Sequence, residues 1–228
     1  GALIALAGAP GSGKSFLSYT IGLAVASGTP VLGMTPRKPF KVLYFDQENA
    51  ESDRIQYERW AWHGLNKPSL DLICQNFWRA PFVLGSSGWE MSARLLIEKH
   101  QPELIVIDTT TPALAIEDEN DNAEAAKAIG KIRTLQHITR PTSTVIALKH
   151  SKVKSDNGGL TLRGAKSWEG QVDGIVYIKN GDGRPRNDGL TSKILTSGKT
   201  RAFGLRTDVK ITPHWSDEDH TGITLSRG

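Results

Sequence analysis

The sequence has one cysteine and no long apolar run, and each absence excludes a class of protein. Cys74 is the only cysteine among 228 residues, so no disulfide can form within the chain. Because disulfide-free chains fit a reducing compartment, we predict a cytoplasmic protein. No apolar run approaches the ~20 residues that a membrane-spanning helix needs, so no membrane association is predicted. Cys74 follows Leu72 and Ile73 and is expected to be a buried small side chain.

Metal-ligand clusters and internal repeats are also lacking. The six histidines do not have the spacing of zinc ligands, which argues against a zinc site. The chain shows no low-complexity tract and no domain boundary, and its length of 228 residues fits one large domain, so residues 1–228 are predicted to form a single domain. The net charge is +4 and the isoelectric point is about 9.2, which permits a polyanionic partner without requiring one.

The clearest motif is a glycine-rich loop between an apolar strand and a helix. Leu3–Ala7 is followed by Gly8-x-x-x-x-Gly13-Lys14-Ser15 and by a predicted helix that ends at Gly28. Glycines leave backbone N–H groups free to point at phosphate oxygens, and a helix N-terminus favours an anion. The lysine can reach the β- and γ-phosphates, and the serine hydroxyl can bind Mg²⁺. The predicted nucleotide-binding residues are Gly8, Ala9, Pro10, Gly11, Ser12, Gly13, Lys14, Ser15 and Phe16.

Strand and helix patterns alternate through the first two thirds of the chain. Strands are predicted at 3–7, 41–46, 103–108 and 143–148, with helices at about 51–63, 88–100 and 122–139. Leu70–Gln75 is predicted to be another short strand. Residues 174–179, 190–196, 202–206 and 222–225 are typical of short strands joined by tight turns. The sequence therefore predicts an α/β fold with a mainly parallel sheet flanked by helices and antiparallel strands added at the C-terminal edge.

A buried strand that ends in an acid has the pattern of a magnesium-binding carboxylate. Asp108 comes directly after four apolar residues, Leu104–Ile107. In open α/β sheets, ligands bind beyond the carboxyl ends of the strands, which is also where the glycine loop is expected. Asp108 is therefore predicted to hold Mg²⁺ together with the Ser15 hydroxyl, in the Walker B arrangement.

Two further strands are followed by polar residues at the same predicted edge. Glu48 lies just beyond the second strand, and a carboxylate there can orient and deprotonate an attacking water. Asp46 and Glu51 are nearby alternatives for this role. His150 follows the strand at 143–148 and can sense the γ-phosphate and pass its presence to the following loop. The predicted catalytic group at this edge is Lys14, Glu48, Asp108 and His150.

Together these segments resemble the RecA-type ATPase superfamily, most closely the RepA-like hexameric helicases. The resemblance rests on the glycine loop, Val-Leu-Tyr-Phe-Asp-Gln-Glu48, Leu-Ile-Val-Ile-Asp108-Thr, Ile-Glu-Asp-Glu-Asn120, Leu-Lys-His150-Ser-Lys152 and Arg163-Gly-Ala-Lys-Ser167 followed by Asp173. Matching segments run from residue 3 to about 205. The glycine loop is common to all P-loop NTPases, whereas the second-strand glutamate and the His-x-Lys and Arg-Gly-x-x-Ser segments are more specific.

The resemblance implies a RecA-like core that assembles into a ring, usually of six subunits, with ATP and Mg²⁺ at each subunit boundary. Lys199-Thr-Arg201 is similar to the family's Lys-x-Arg pair, which is offered to the ATP of the neighbouring subunit. Arg201 is favoured as the finger because its guanidinium carries a fork of donors. The segment after His150 is expected to face single-stranded DNA. The candidate contacts to the DNA backbone are Lys152, Lys154 and Arg163.

The resulting hypothesis is a Mg²⁺-dependent ATPase that moves along or unwinds nucleic acid. One alternative is a recombination or filament protein with DNA-dependent hydrolysis, and another is a nucleotide-switched regulatory module. A small-molecule kinase is disfavoured, because no segment resembles an arginine-bearing lid inserted between core helices. An acidic stretch would repel a nucleic-acid backbone if it lined a channel, although RepA-like proteins carry a similar stretch. Its acids are Glu117, Asp118, Glu119 and Asp121.

Overall fold

Ten strands form one sheet in the computed structural model, which describes residues 1–80, 88–118, 121–139, 142–153, 160–162, 166–181, 189–200 and 208–227. The strands are β1 Leu3–Gly8, β2 Val42–Asp46, β3 Phe77–Ala80, β4 Leu104–Asp108, β5 Thr144–Val153, β6 Leu160–Leu162, β7 Gly174–Asn180, β8 Lys193–Thr200, β9 Val209–Trp215 and β10 Ile223–Arg227. Their order across the sheet is β10-β9-β8-β7-β1-β5-β4-β2-β3, and β6 pairs with β5.

Seven helices connect these strands in the part of the chain that the structure describes. They are α1 Lys14–Ser27, α2 Glu51–Gly64, α3 Leu70–Asn76, α4 Trp89–His100, α5 Thr110–Ala113, α6 Asn122–Ile138 and α7 Lys166–Gln171. Helix α1 ends as predicted, with Gly28 at a φ of 72° and its N–H donating to the Ala24 carbonyl. Among the described residues, no helix is both long enough and apolar enough to cross a membrane.

The predicted fold class is confirmed by the strand directions. The six strands from β7 to β3 run parallel to their neighbours. Strands β8, β9 and β10 continue the sheet beyond β7 with antiparallel pairing. The carboxyl ends of the parallel strands therefore meet at one edge, where the glycine loop follows β1 and Asp108 ends β4.

Alternate residues of the buried strands pack against different helices, so the sheet has a core on each face. On β2, Leu43 and Phe45 belong to the cluster that contains the apolar side chains of α4 and α6. Val42 and Tyr44 belong to the cluster that contains Leu17 and other side chains of α1. This alternation follows from the two-residue period of a strand, and it fixes the direction of each residue at the end of the strand.

The predicted strand at Leu70–Gln75 is wrong, because this segment is helix α3. The Ser69 side chain caps the helix by accepting a hydrogen bond from the Leu72 N–H, at 3.3 Å. The expectation that Cys74 is buried is also wrong, since the thiol-bearing residue is exposed on this helix. The adjacent strand comes later, at Phe77–Ala80, and pairs in parallel with β2.

The late strands differ from the prediction in position and number. Strand β5 extends from 144 through His150 to Val153, well beyond the predicted end at 148. Strand β8 begins at Lys193 rather than at 190, and β9 at 209–215 was not predicted. The predicted strand at 202–206 lies outside the described residues.

Two glycines give opposite predictions for stability. A Cβ on Gly64 would lie 2.0 Å from the Ile223 carbonyl oxygen, whereas a Cβ on Gly130 would meet nothing within 4 Å. We expect Gly64→Ala to lower the free energy of unfolding by about 2–3 kcal/mol, because α2 and β10 must separate. Gly130→Ala, inside α6, should raise it by about 0.5–1 kcal/mol. Urea denaturation measures both, and a neutral Gly64→Ala would contradict the close backbone contact.

Candidate active site

The glycine loop joins β1 to α1 with a backbone that requires glycine at three positions. Gly11 and Gly13 have φ values of 69° and 90°, in the left-handed region that favours glycine. Gly8 has no room for a side chain, since a Cβ would lie 2.4 Å from Ser12 Oγ and 2.6 Å from Ile178 Cγ2. The loop therefore passes close to its neighbours and leads directly into the N-terminus of α1.

Lys14 and Ser12 are directed at the inside of this loop. The Lys14 ammonium donates to the carbonyl oxygens of Gly8 at 3.1 Å and Ala9 at 3.0 Å, and its burial lowers the pKa, an effect that Glu48 and Asp108 oppose. Ser12 Oγ is buried and has no hydrogen-bond partner among the described residues. A buried hydroxyl without a partner is unfavourable, so the loop fits an anion that would accept from it.

Ser15 and Asp108 form the pair that the sequence predicts for Mg²⁺. Ser15 Oγ donates to Asp108 Oδ1 at 3.3 Å. A hydroxyl and a carboxylate are the hard oxygen ligands that Mg²⁺ prefers, so these residues fit the ion. Asp108 is fully buried, and burial together with the charge of Asp46 raises the pKa of its carboxyl to about 7. A divalent cation at this pair would favour the charged carboxylate.

A buried polar network behind this pair was missed by the sequence analysis. Asn49 Nδ2 donates to Asp46 Oδ1 at 3.0 Å and to Asp108 Oδ2 at 3.1 Å, and so bridges the two strand-ending acids. Tyr19 OH donates to Asp46 and Tyr44 OH donates to Asp108, at 2.8 and 2.9 Å. The network forms because Asp46 and Asp108 end neighbouring strands at the same level, a pairing that the order of the strands along the chain does not reveal.

The network also fixes the turn that carries Glu48. The Asp46 carboxylate accepts hydrogen bonds from the backbone N–H groups of Glu48 at 3.3 Å and Asn49 at 3.1 Å. The Gln47 N–H donates to the Asp108 carbonyl at 2.8 Å. The position of the Glu48 backbone is thus set by the same two strands that hold the predicted metal ligand.

Glu48 faces the cleft beyond the glycine loop, whereas Asp46 and Glu51, the alternative acids for its role, do not. Its Oε2 accepts from Thr109 Oγ1 at 2.5 Å, and its side chain remains 43% exposed. Asp46 is buried and engaged in the network described above. Glu51 lies on the exposed first turn of α2, with its Oε2 3.9 Å from Arg54 Nη2. Glu48 is therefore the acid of the three that combines a fixed backbone with access to water.

His150 lies beside Glu48 and on a strand that continues past the site. Its Nε2 is 3.7 Å from Glu48 Oε1, and its backbone is level with Gly8 across the β1–β5 pair. Strand β5 then runs on through Lys152, which pairs with Thr161 of β6. The predicted loop after residue 150 is therefore partly a hairpin. The preceding Lys149 is buried, with its ammonium 4.5 Å from the centre of the Trp168 ring, and Trp168 packs in the core.

The cleft above the loop has an apolar wall that the sequence analysis did not identify beyond Phe16. The cleft encloses about 460 Å³. Trp60 of α2 lines the cleft, and the centre of its ring lies 6.2 Å from that of Phe16 and 5.9 Å from that of Trp215. The apolar residues that line it are Phe16, Tyr57, Trp60, Leu190, Pro213 and Ile223. A flat, partly apolar group beside an anion would fit this shape.

The structure brings most of the predicted site residues together at the cleft, and some of the others lie outside the described residues. Lys14, Ser15, Glu48 and His150 all line the cleft, and Asp108 contacts Ser15 directly beneath it. Pro10 and Gly11 also line the cleft. Arg201, Lys154 and Arg163 lie outside the described residues, and for Lys199 only the backbone, on β8, is described.

The fold and the loop define the class of this protein. A mainly parallel sheet, a glycine loop after β1 and an acid at the end of β4 are the features of a RecA-type P-loop ATPase. Residues 1–156 match the family described as AAA domain, and the chain belongs to this family.

Among the solved structures that match is a KaiC-like protein from the hyperthermophilic archaeon Pyrococcus horikoshii. It has 14% sequence identity and a TM-score of 0.61, and the match covers 98% of this chain and 88% of that chain. At this identity the likeness supports the fold. Comparison with curated proteins finds no match.

Proposed function

We propose that this protein is a Mg²⁺-dependent ATPase whose hydrolysis takes place at subunit boundaries and drives movement along nucleic acid. One observation supports the proposal of hydrolysis. Lys14, the Ser15–Asp108 pair and Glu48 surround a single cleft at the carboxyl edge of the sheet. These are the three parts that phosphoryl transfer to water requires, namely a phosphate cradle, metal ligands and a water-positioning acid.

Each group has a distinct task in this proposal. The loop N–H groups, Ser12 and Lys14 hold the phosphates, and Ser15 and Asp108 hold Mg²⁺, which supplies charge neutralisation when bound. Glu48 accepts a proton from the attacking water. The base of the nucleotide rests against the apolar wall around Trp60. Adenine offers a flat π-surface that stacks well on aromatic side chains.

His150 is proposed to report the state of the nucleotide to the segment that follows it. Its Nε2 lies 3.7 Å from Glu48 Oε1, and its backbone belongs to the same continuous strand as Lys152. A shift of His150 when Glu48 changes partner would therefore act directly on the β5–β6 hairpin. Lys152, Lys154 and Arg163 are proposed to contact the backbone of single-stranded DNA from this side.

Lys199 and Arg201 are proposed to act as a finger on the site of a neighbouring subunit. Leu195 of β8 is level with Gly8 through Ile178 of β7, whereas Lys199 is level with Ala5. At about 3.3 Å per residue, the Lys199 backbone is ~10 Å behind the level of the loop. This placement supports action in trans, in a ring that we propose to contain six subunits.

A nucleotide-switched regulatory ATPase is the second candidate, and the acidic segment before α6 favours it. Glu124 Oε2 accepts from the N–H groups of Glu117 and Asp118, both at 3.0 Å, and so holds the backbone that carries these exposed acids. A fixed acidic surface repels DNA and suits a basic protein partner. A recombination protein that forms open filaments on DNA is a further alternative for the same hydrolytic site.

Steady-state ATP hydrolysis, with and without single-stranded DNA, tests the proposal. The assay is run at several protein concentrations, with Lys14→Ala as the blank. We expect hydrolysis with Mg²⁺, stimulation by DNA that weakens between ~50 and ~200 mM salt, and a rate per subunit that rises with concentration. Hydrolysis no faster than the blank would contradict the ATPase.

The remaining outcomes separate the finer alternatives. Hydrolysis that ignores DNA would favour the regulatory switch over the motor. Growing filaments on DNA, seen by sedimentation, would favour the recombination protein over a closed ring. A rate per subunit that is independent of concentration would contradict the finger in trans.

A further inference from the structure

A second lysine lies at the far end of the glycine loop from the Lys14 ammonium. Lys193, the first residue of β8, lines the cleft together with the loop. Its Cε would be 3.7 Å from a Cβ on Gly13, the N-cap of α1. The Lys14 ammonium instead contacts the carbonyls of Gly8 and Ala9, where the loop begins. The Lys14 ammonium and the end of the Lys193 side chain therefore lie near opposite ends of the same loop.

The charge of Lys193 is not compensated within the described chain. Its Nζ donates to the neutral amide oxygen of Asn180 at 2.7 Å. Among the residues that the structure describes, no carboxylate forms an ion pair with it. The side chain is half-buried, and this burial lowers the pKa of its ammonium. A half-buried cation beside a helix N-terminus provides an environment that favours an anion.

Lys193 lies between the glycine loop and the apolar wall of the cleft. It shares a small apolar recess with Gly13 and Phe16 on the loop side and with Pro213 and Leu225 on the side of the late strands. In a nucleoside triphosphate, the α-phosphate is the group that joins the phosphate chain to the sugar and base. A nucleotide with its β- and γ-phosphates at Lys14 and its base at the wall would place that phosphate in the intervening region.

We propose that Lys193 is a second phosphate-binding lysine of the same chain and contacts the α-phosphate of the bound nucleotide. The inference rests on the proposed nucleotide function and adds to it a residue from β8. Asn180, its partner across the β7–β8 pair, accepts a hydrogen bond from the ammonium at 2.7 Å. Because ATP and ADP share the α-phosphate, Lys193 serves both nucleotides equally, whereas a lysine at the γ-phosphate would distinguish them.

Calorimetric titration of the full chain with Mg-ATP and with Mg-ADP tests this assignment. We expect Lys193→Met to weaken both affinities by the same factor, about tenfold, which is the typical loss for one charge-assisted hydrogen bond. Lys193→Arg should retain most of the affinity. Under saturating ATP, kcat should change less than about twofold, since the contact is the same in ground and transition states.

Lys179→Met is the matched control, because Lys179 precedes Asn180 on β7 and is exposed. It removes one positive charge close to the same site, so an equal loss in this variant would contradict a specific contact. A loss confined to ATP, or no loss for either nucleotide, would also overturn the assignment. Failure of the unchanged protein to bind either nucleotide would instead overturn the proposed function. Thermal unfolding of each variant confirms that the fold is retained.

Discussion

Replacement of Glu48 by glutamine is expected to reduce ATP hydrolysis by about 10²–10⁴-fold while leaving ATP affinity within about threefold. Glutamine keeps the length of the side chain and can still accept from Thr109, which donates to Glu48 at 2.5 Å. It cannot accept a proton from water, so the loss falls on the chemical step. Single-turnover hydrolysis and equilibrium binding of ATP measure the two effects separately.

Glu51→Gln provides the control for this prediction. Glu51 is three residues away, and its side chain is 71% exposed on the first turn of α2. Its substitution should leave the hydrolysis rate within about twofold, because it does not face the cleft. If Glu48→Gln retained the parental rate, or if Glu51→Gln lost as much activity, the assignment of the water-positioning acid would be wrong.

Replacement of Asp108 by asparagine is expected to stabilise the protein at pH 8 in the absence of Mg²⁺ and nucleotide. The folded carboxyl has a pKa of about 7, above its ordinary value of 3.8, so the folded state binds the proton more tightly than the unfolded state. Below pH ~4 the carboxyl is protonated in both states, so its raised pKa does not lower the free energy of unfolding. The destabilisation grows as pH rises toward 7. Above that pH the charged group destabilises the fold by on the order of 2–4 kcal/mol.

Denaturation in urea with a chelator, at pH 4 and pH 8, measures this difference. Asp108→Asn should exceed the parent in unfolding free energy at pH 8 and differ little from it at pH 4, and it should lose Mg²⁺-dependent hydrolysis. Asp219→Asn, in an exposed turn, should show neither effect. A variant that is less stable than the parent at pH 8 would mean that the Asp108 carboxylate stabilises the empty site.

Several parts of the fold that depend on local sequence were predicted correctly. The glycine loop, the strand before Asp108 and the C-cap at Gly28 follow from spacing and from residues that few other conformations accept. The prediction of a strand at Leu70–Gln75 failed because a short, mostly apolar segment fits a strand and a helix equally well. The Ser69 cap decides between them, and Cys74 then faces solvent instead of the core.

The parts of the site that depend on tertiary contacts could not be predicted. Asn49 bridges Asp46 and Asp108 only because β2 and β4 are neighbours, which the order of strands along the chain does not reveal. Strand β9 escaped prediction because it contains Pro213, and proline inside a strand pattern argues against a central strand. Since Pro213 lines the cleft, the apolar wall was missed with it.

The lining of the cleft comes from distant parts of the chain. The phosphate loop, Glu48 and Asp108 all lie within residues 1–156, the segment that matches the AAA domain family. Phe16 and Trp60 of the apolar wall lie in the same segment, whereas the lining residues Lys193, Pro213 and Ile223 follow it. Substitutions at these late positions thus change one part of the apolar wall and leave the glycine loop, Glu48 and Asp108 unaltered.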